Sequence, residues 1–81
     1  MTGCRVQYSP PADQSHRAMG GPLRTRFDSA MQRLAADPYG QDSIPIRGDR
    51  DRREATVAGV AVRYYVSATV LTVSVVRVVF V

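Results

Sequence analysis

Two consecutive segments decide the fold of this chain: residues 60–66, VAVRYYV, and residues 70–81, VLTVSVVRVVFV. In the first segment, apolar side chains recur at every second position, which is typical of a β-strand with one buried face. The predicted buried row is Val60, Val62, Tyr64 and Val66. Arg63 and Tyr65 alternate with this row, so we expect both side chains to face outward.

A third strand precedes these two segments. Apolar Ala55 and Val57 alternate with polar neighbours after residue 54, and Gly59 marks the turn that follows. Residues 67–69 mark a second turn before the last segment. Because consecutive strands joined by short turns are antiparallel neighbours, the second half of the chain predicts an antiparallel β-meander.

Arg77 conflicts with the alternation of the last strand. The apolar row predicted for the core is Leu71, Val73, Val75, Val79 and Val81, and Arg77 falls on the same row. Burial of a lone guanidinium carries a large desolvation cost. A β-bulge near Val76 that turns Arg77 outward would remove this cost. A salt bridge or snorkelling at the sheet edge, or a partly open cleft that faces a ligand, are the alternatives.

The first half of the chain predicts two helices. One apolar stripe at helical spacing is formed by Leu23, Phe27, Ala30, Met31 and Leu34. Pro22 suits the first turn of this helix, and Pro38 ends it because the residue before a proline avoids helical geometry. A shorter helix is predicted from Ser9 to about Met19, and a short strand over residues 5–8. The predicted fold class is α+β, with two N-terminal helices packed on an antiparallel β-sheet.

Residues 39–53 are predicted to be a connection, because glycine and proline recur among polar and charged residues. A short extended piece at residues 44–46 is compatible with this pattern. The run GDRDRRE at residues 48–54 mixes charges of both signs. This mixture favours a solvated loop and leaves a binding loop as the alternative.

Composition limits the organisation and the partners of the protein. The 81 residues allow one hydrophobic core and predict a single domain over residues 1–81. The net charge is +4, and all eleven basic side chains are arginine. Because arginine donates bidentate hydrogen bonds to phosphate and carboxylate groups, an anionic partner such as RNA or an acidic protein is favoured. A GC-rich genome would also explain the use of arginine in place of lysine.

Cys4 is the only cysteine and His16 is the only histidine. One cysteine forms no intramolecular disulfide, so we expect a cytoplasmic protein in which Cys4 is an inert thiol. We expect no metal and no cofactor, and we expect His16 to be a surface residue of the first helix. Residues 1–10 lack the apolar run of a signal peptide, and residues 66–81 are too short for a membrane-spanning helix. No membrane partner is therefore predicted.

Several segments together resemble the RelE/ParE superfamily of bacterial toxins. The helix with FDSA at residues 27–30 and its ending LAADP at residues 34–38 are similar to the second helix of that family. The strand over residues 59–66, which ends in RYYV, and the segment VLTVSVVRV at residues 70–78 are similar to its central hairpin. VQYSP at residues 6–10 is similar to its opening strand and first helix start.

The resemblance implies a toxin whose partner is a small antitoxin protein. RelE-like members cut mRNA on the ribosome with Arg, Lys and Tyr side chains, whereas ParE-like members act on gyrase. The cleaving members place basic residues on the strand before the central turn and one just after it. With Gly59 and Tyr65 as anchors, these positions hold Ala55, Val57 and Val62 here. The resemblance therefore leaves enzymatic activity open.

We expect a toxin-like module whose outer sheet face contacts RNA or the ribosome. The candidate binding residues are Arg47, Arg53, Arg63, Tyr65 and Arg77. Arginine would neutralise phosphate and tyrosine would stack on a base, and in an mRNA interferase arginine would also stabilise the charge that develops on phosphorus. One alternative is a non-catalytic interaction protein that binds an antitoxin-like peptide, or forms a homodimer, through a sheet edge or the apolar last strand. A gyrase inhibitor is the other alternative.

Overall fold

The computed structural model describes residues 4–40 and 43–80, which form two helices and a five-stranded sheet. The elements are β1 (Arg5–Tyr8), α1 (Pro10–Arg17), α2 (Gly21–Ala36), β2 (Ser43–Ile46), β3 (Asp49–Val57), β4 (Val60–Ser67) and β5 (Thr72–Phe80). A short 3₁₀ turn, Ala68–Val70, joins β4 to β5. The strands lie in the order β1-β5-β4-β3-β2. The predicted α+β class is confirmed.

The sheet is mixed, because β1 adds a parallel pair to the predicted antiparallel meander. The pairs β2–β3, β3–β4 and β4–β5 are antiparallel, whereas β1 runs parallel to β5. In the parallel pair, Arg5 lies opposite Thr72 and Tyr8 lies opposite Val75. Since β1 ends at Tyr8, it covers only the first half of the β5 edge.

Both helices lie on one face of the sheet, and the opposite face is called the outer face below. α1 packs on β5, and α2 packs on β1 and β3. The core consists of Ala12, Met19, Phe27, Met31, Ala35, Ala55, Val57, Val60, Val62, Tyr64, Val66, Val73, Val75 and Val78. Removal of these side chains from water is the main force that holds the layers together. The buried row predicted for β4 is confirmed, and Arg63 and Tyr65 face outward.

Local signals set the helix ends. Ser9 Oγ accepts a hydrogen bond from the Ala12 N–H at 3.4 Å and caps α1, as predicted. Helix α2 ends before Asp37, and the hydroxyl of Tyr64 donates to the carbonyl of Pro38 at 2.7 Å. This hydrogen bond ties the end of α2 to β4. Neither helix in the described part of the chain is long and apolar enough to cross a membrane.

The segment predicted to be a connection contains two strands. β2 confirms the extended piece at residues 44–46, but β3 begins at Asp49, so the solvated loop predicted for residues 48–54 is wrong. The sequence did not predict the first half of β3, because charged side chains occupy both faces there and no apolar alternation marks the strand. Arg52 is exposed on the outer face, whereas Arg53 is buried on the helix side.

A β-bulge in β5 resolves the position of Arg77. Val75 pairs with Tyr64 and Arg77 pairs with Arg63, so Val76 is an extra residue between them. Val75 is fully buried, whereas Val76 is 50% exposed and Arg77 is also exposed. The bulge therefore turns Arg77 outward, which is one of the predicted solutions.

The same bulge corrects the core row predicted for the last strand. Beyond it, Val78 is buried and Val79 is 44% exposed, so Val78 takes the core position that alternation gave to Val79. Leu71 is also outside the core, because it lies in the turn before β5 with φ 49° and is 48% exposed. Val81 lies outside the described residues.

Candidate nucleic-acid interface

Four arginines surround a concave part of the outer face. The concavity has a volume of about 1020 Å³ and is formed by β2, β3, β4 and β5. Its lining residues are Ile46, Arg47, Asp49, Arg52, Arg63, Tyr64, Tyr65, Ser74, Val76 and Arg77. We call Arg47, Arg52, Arg63, Arg77 and Tyr65 the arginine face. Because one acidic residue, Asp49, accompanies four arginines in this lining, the surface favours an anionic ligand.

Arg63 and Arg77 lie directly opposite each other on β4 and β5. Like charges at such positions destabilise a sheet. Glu54 on β3 offsets part of this repulsion, because its Oε2 lies 3.0 Å from Arg63 Nε. The two side chains of this ion pair are 51% and 38% exposed, so the pair contributes no more than about 1 kcal/mol. This row thus holds two guanidinium groups and one carboxylate, and a phosphate group would be stabilised between the two arginines.

Tyr65 lies in the next row of the outer face. Its direct neighbours are Arg52 on β3 and Ser74 on β5, and 42% of Tyr65 is exposed. The bulge places exposed Val76 in the same concavity. An exposed aromatic ring flanked by cations is typical of surfaces on which the bases of single-stranded nucleic acid stack.

Arg47 and Arg52 line the concavity from the β2–β3 hairpin. Arg47 is the first residue of its tight turn, with φ 53°, a conformation that costs a non-glycine residue about 1–2 kcal/mol. Arg52 Nε lies 3.8 Å from Asp49 Oδ2, and the Arg52 side chain is 70% exposed. Arg52 was not among the predicted candidates. Outward-facing residues alternate along β3, so the position two residues before Glu54 would have predicted that Arg52 faces the same side.

Arg53 is separated from the other four predicted candidates. It is 7% exposed and lies on the helix side of the sheet. Its Nε donates to Ser43 Oγ at 2.8 Å, its Nη2 donates to the Ser43 carbonyl at 3.2 Å, and its Nη1 donates to the Arg50 carbonyl at 3.0 Å. These hydrogen bonds connect β3 to β2 and hold the hairpin in shape. Arg53 therefore supports the turn that carries Arg47 and does not face the concavity.

Tyr39 completes the packing around this hairpin. The Arg50 guanidinium lies 4.0 Å from the centre of the Tyr39 ring, and that of Arg53 lies at 5.5 Å. The Tyr39 hydroxyl donates to Asp51 Oδ1 at 2.7 Å. This hydrogen bond, which the ionised phenol would lose, is the main cause of a raised pKa of Tyr39. The charged segment at residues 48–54 is thus anchored by specific contacts.

His16 connects the two helices on the far side of the sheet from the arginine face. Its Nε2 lies 2.6 Å from Asp28 Oδ1, and its ring stacks on Tyr8 with centroids 4.7 Å apart. His16 lies on α1 as expected, but its side chain is only 18% exposed, so it is partly buried and not a freely exposed surface residue. Burial, followed by the charges of Asp28 and Asp13, raises the pKa of Tyr8 to about 12. His16 therefore stabilises the α1–α2 contact and is remote from the concavity.

The three positions that lack the basic residues of cleaving toxins belong to the core. Ala55, Val57 and Val62 are each no more than 5% exposed and pack beneath the helices. Side chains there cannot reach a ligand on the outer face. Arg52 and Arg63 lie on the same strands as these residues but at positions that face the opposite side of the sheet. Within residues 4–40 and 43–80, no cluster of three His, Cys, Asp or Glu side chains could hold a metal ion.

Comparison by sequence finds no protein-family model and no curated protein that matches this chain. Comparison by structure finds a chain of the toxin-antitoxin complex RelBE2 from Mycobacterium tuberculosis, with a TM-score of 0.81 and 16% identity over 99% of this chain and 100% of that chain. The isolated RelE toxin of E. coli matches with a TM-score of 0.79 and 18% identity over 95% of this chain and 83% of that chain.

A third match is the archaeal RelE–RelB complex from Pyrococcus horikoshii, with a TM-score of 0.77 and 17% identity over 95% of this chain and 93% of that chain. At these identities the likeness is one of fold. The resemblance to the toxin superfamily is confirmed at that level, and the fold of this chain is that of the RelE toxins.

Proposed function

We propose that this chain is the toxin-like component of a toxin-antitoxin pair and that its arginine face binds single-stranded RNA, free or on the ribosome. The observation that supports this proposal most strongly is the direct opposition of Arg63 and Arg77 beside exposed Tyr65. An arrangement that repels itself in the free protein becomes favourable once an anion occupies it. The shared fold with RelE toxins, which are solved together with RelB antitoxins, supports the toxin-like role.

The side chains of the arginine face suit the phosphates and the bases of RNA. The planar guanidinium groups of Arg63 and Arg77 suit bidentate contacts with phosphate oxygens, while Arg47 and Arg52 extend the positive surface toward the β2–β3 turn. Tyr65 supplies a ring on which one base stacks. Such binding weakens as salt rises, because the phosphates release counterions when arginine neutralises them.

Cleavage of the bound RNA is a second activity to be tested separately. In the attack of a ribose 2′-hydroxyl on the adjacent phosphate, the 2′-oxygen bonds to phosphorus as the bond from phosphorus to the 5′-oxygen breaks. Water takes the 2′-hydroxyl proton and supplies a proton to the leaving 5′-oxygen, so the products are a 2′,3′-cyclic phosphate and a free 5′-hydroxyl. Negative charge develops on the phosphoryl oxygens during this exchange. Arg63 and Arg77 would stabilise that charge, because the strand register places both on the outer face opposite each other. Incubation of end-labelled mRNA with the protein, with and without ribosomes, measures this activity. Fragments that disappear in the Arg77→Gln variant would support an mRNA interferase.

Induced expression in a bacterial host tests the toxin-like role. We expect growth arrest that is relieved by Arg63→Ala, while Arg26→Ala leaves it in place. Arg26 is the matched control because it is an exposed arginine on α2, on the opposite side of the sheet. Unimpaired growth during accumulation of the folded wild-type protein would contradict the proposal.

A second candidate function is that of a non-catalytic interaction protein. At the end of β5, Val79 and Phe80 are 44% and 48% exposed, and β1 ends before it reaches them. An antitoxin-like peptide, or a second copy of the chain, would cover these side chains by pairing along β5. Sedimentation velocity at several concentrations separates the cases: a monomer at all concentrations would contradict the homodimer.

Two further expectations belong to this proposal. We propose that residues 1–81 act as one domain, since both helices and strands β1, β3, β4 and β5 contribute side chains to one core. We also propose that the protein acts in the cytoplasm, where a single thiol stays reduced and RNA is accessible. Limited proteolysis and cell fractionation would test these two expectations.

A further inference from the structure

Four side chains form one continuous row across the outer face. Strand register places Gln7 on β1 opposite Ser74 on β5, Ser74 opposite Tyr65 on β4, and Tyr65 opposite Arg52 on β3. Cross-strand partners point to the same face of a sheet. Since neighbouring strands lie about 4.8 Å apart, the row extends about 14 Å from end to end. Tyr65 therefore has hydrogen-bonding side chains on both sides.

The exposed Tyr65 ring and the neighbouring Val76 side chain form an apolar surface at the centre of this row. Tyr65 is 42% exposed, and the bulge residue Val76 is 50% exposed in the same concavity. The neighbouring row contains the opposed Arg63 and Arg77. A phosphate on the arginine pair would place an attached base over the Tyr65 ring, because the two rows are about 7 Å apart along a strand.

The two ends of the row offer different hydrogen-bonding groups. Gln7 Nε2 donates to Ser74 Oγ at 3.1 Å. This bond orients both groups and leaves the Ser74 hydroxyl proton as a donor and Gln7 Oε1 as an acceptor. Arg52, on the other side of Tyr65, presents donors alone. The edges of the four bases differ in their donors and acceptors, so this asymmetric frame does not suit them equally.

We propose that the row Gln7–Ser74–Tyr65–Arg52 is a nucleobase subsite, in which Tyr65 stacks on one base and the Gln7–Ser74 pair and Arg52 read its edge. The proposal rests on the proposed RNA binding and adds base selectivity to it. Gln7 and Ser74 are specificity-determining residues in this account. Phosphate affinity depends on the arginine pair in the next row.

Short RNA oligonucleotides with a single base test the subsite. Each carries A, C, G or U at its centre with abasic nucleotides on both sides, and a fifth is abasic throughout, so that one base alone can occupy Tyr65. Fluorescence anisotropy gives the affinity of each. We expect the affinities of the four oligonucleotides to span a range of about fivefold or more. About fivefold is the lower limit of the discrimination that one good pair of base-edge hydrogen bonds provides.

Variants then assign the preference to residues. We expect Gln7→Ala and Ser74→Ala each to reduce the spread among the bases to about twofold or less, while the affinity for abasic RNA is unchanged. Tyr65→Ala should remove the advantage of every base over the abasic RNA. Gln14→Ala, an exposed glutamine on α1, is the matched control and should retain the full preference.

Failure of the subsite differs from failure of RNA binding. If the wild-type protein binds all four bases equally, or if the spread persists in both Gln7→Ala and Ser74→Ala, the subsite is overturned while RNA binding stands. If none of the oligonucleotides binds, both proposals are overturned. Circular dichroism of each variant identifies any that does not fold, and Gln7→Glu then replaces Gln7→Ala, with an altered base preference as the expected result.

Discussion

Arg63 and Arg77 face each other directly across β4 and β5, and a one-residue bulge at Val76 creates this pair. A regular strand would have turned Arg77 toward the helices, where its charge would be buried. The bulge avoids that burial but brings two like charges together on the outer face. The bulge thus replaces a large desolvation cost by a smaller repulsion, and an anion bound between the two guanidinium groups would relieve that repulsion.

Replacement of Arg77 should stabilise the free protein and weaken its binding of RNA. Arg77→Gln keeps most of the side-chain length and removes the repulsion, so we expect the free energy of unfolding to rise by about 0.2–1 kcal/mol at low salt. The gain should shrink in 1 M NaCl, since salt screens exposed charges. Urea denaturation measures it, and Arg26→Gln is the control. A stability loss in Arg77→Gln without any loss of RNA affinity would contradict this prediction.

Arg47 and Ala58 allow a matched test of strain and binding. Both adopt left-handed geometry in a hairpin turn, with φ 53° and 51°, but Arg47 alone lines the concavity. Arg47→Gly and Ala58→Gly should each raise the free energy of unfolding by about 0.5–1 kcal/mol, the relief of strain less the greater chain entropy of glycine. Only Arg47→Gly should weaken RNA binding. Equal RNA affinities for the two variants would show that Arg47 does not contact the ligand.

Arg53 should be important for stability and not for binding. Arg53→Ala removes three hydrogen bonds of a buried guanidinium, so we expect a loss of about 2–4 kcal/mol in the free energy of unfolding. Thermal unfolding followed by circular dichroism measures the loss, which corresponds to a fall in Tm of about 10 °C or more. Arg53→Lys should restore less than half of it, because an ammonium group cannot reproduce the planar fork. A full rescue by lysine, or an unchanged Tm, would show that the hydrogen bonds contribute little.

Periodicity predicted the parts of the fold in which one face is apolar. The core row of β4 and the apolar stripe of α2 follow from side chains that alternate or recur regularly. The Ser9 cap follows from local chemistry instead, since a serine before two prolines is a typical helix start. The start of β3 did not follow, because Arg52 and Arg53 are both charged although one is exposed and the other buried. Strand pairing of β1 with β5 depends on contacts between distant residues, which local patterns do not encode.

Alternation also predicted part of the candidate site, and the remainder depends on strand pairing and on contacts between residues. Arg63 and Tyr65 follow from simple alternation, whereas Arg77 required a bulge whose register only the pairing with Arg63 defines. Arg53 was placed with them because of its charge, but three hydrogen bonds to the β2–β3 hairpin hold it on the helix side. Charge alone therefore does not distinguish an arginine that binds a ligand from one that supports a turn.

Alkaline pH should destabilise the protein in a way that depends on Tyr8. Its folded-state pKa of about 12 exceeds the ordinary value of 10.0. Below pH 10 the phenol keeps its proton in both states, so its contribution to stability is complete. Between pH 10 and about 12 the unfolded state ionises first, and the free energy of unfolding falls as pH rises.

Urea denaturation at pH 9, 10 and 11 measures this fall. Tyr8→Phe should reduce its steepness, while Tyr39 and Tyr64, whose pKa values are also raised, maintain part of it. An identical pH dependence in the wild-type protein and in Tyr8→Phe would contradict the role assigned to Tyr8.

The salt dependence of RNA binding tests the central claim most directly. A single-stranded RNA that four arginines contact should bind with a slope of about −3 in a plot of log affinity against log salt, and loss of one phosphate contact should reduce the slope by about 0.7. We expect Arg77→Gln to show this reduction and Arg26→Gln to retain the wild-type slope. A slope near zero, or equal changes in the two variants, would contradict an RNA-binding arginine face.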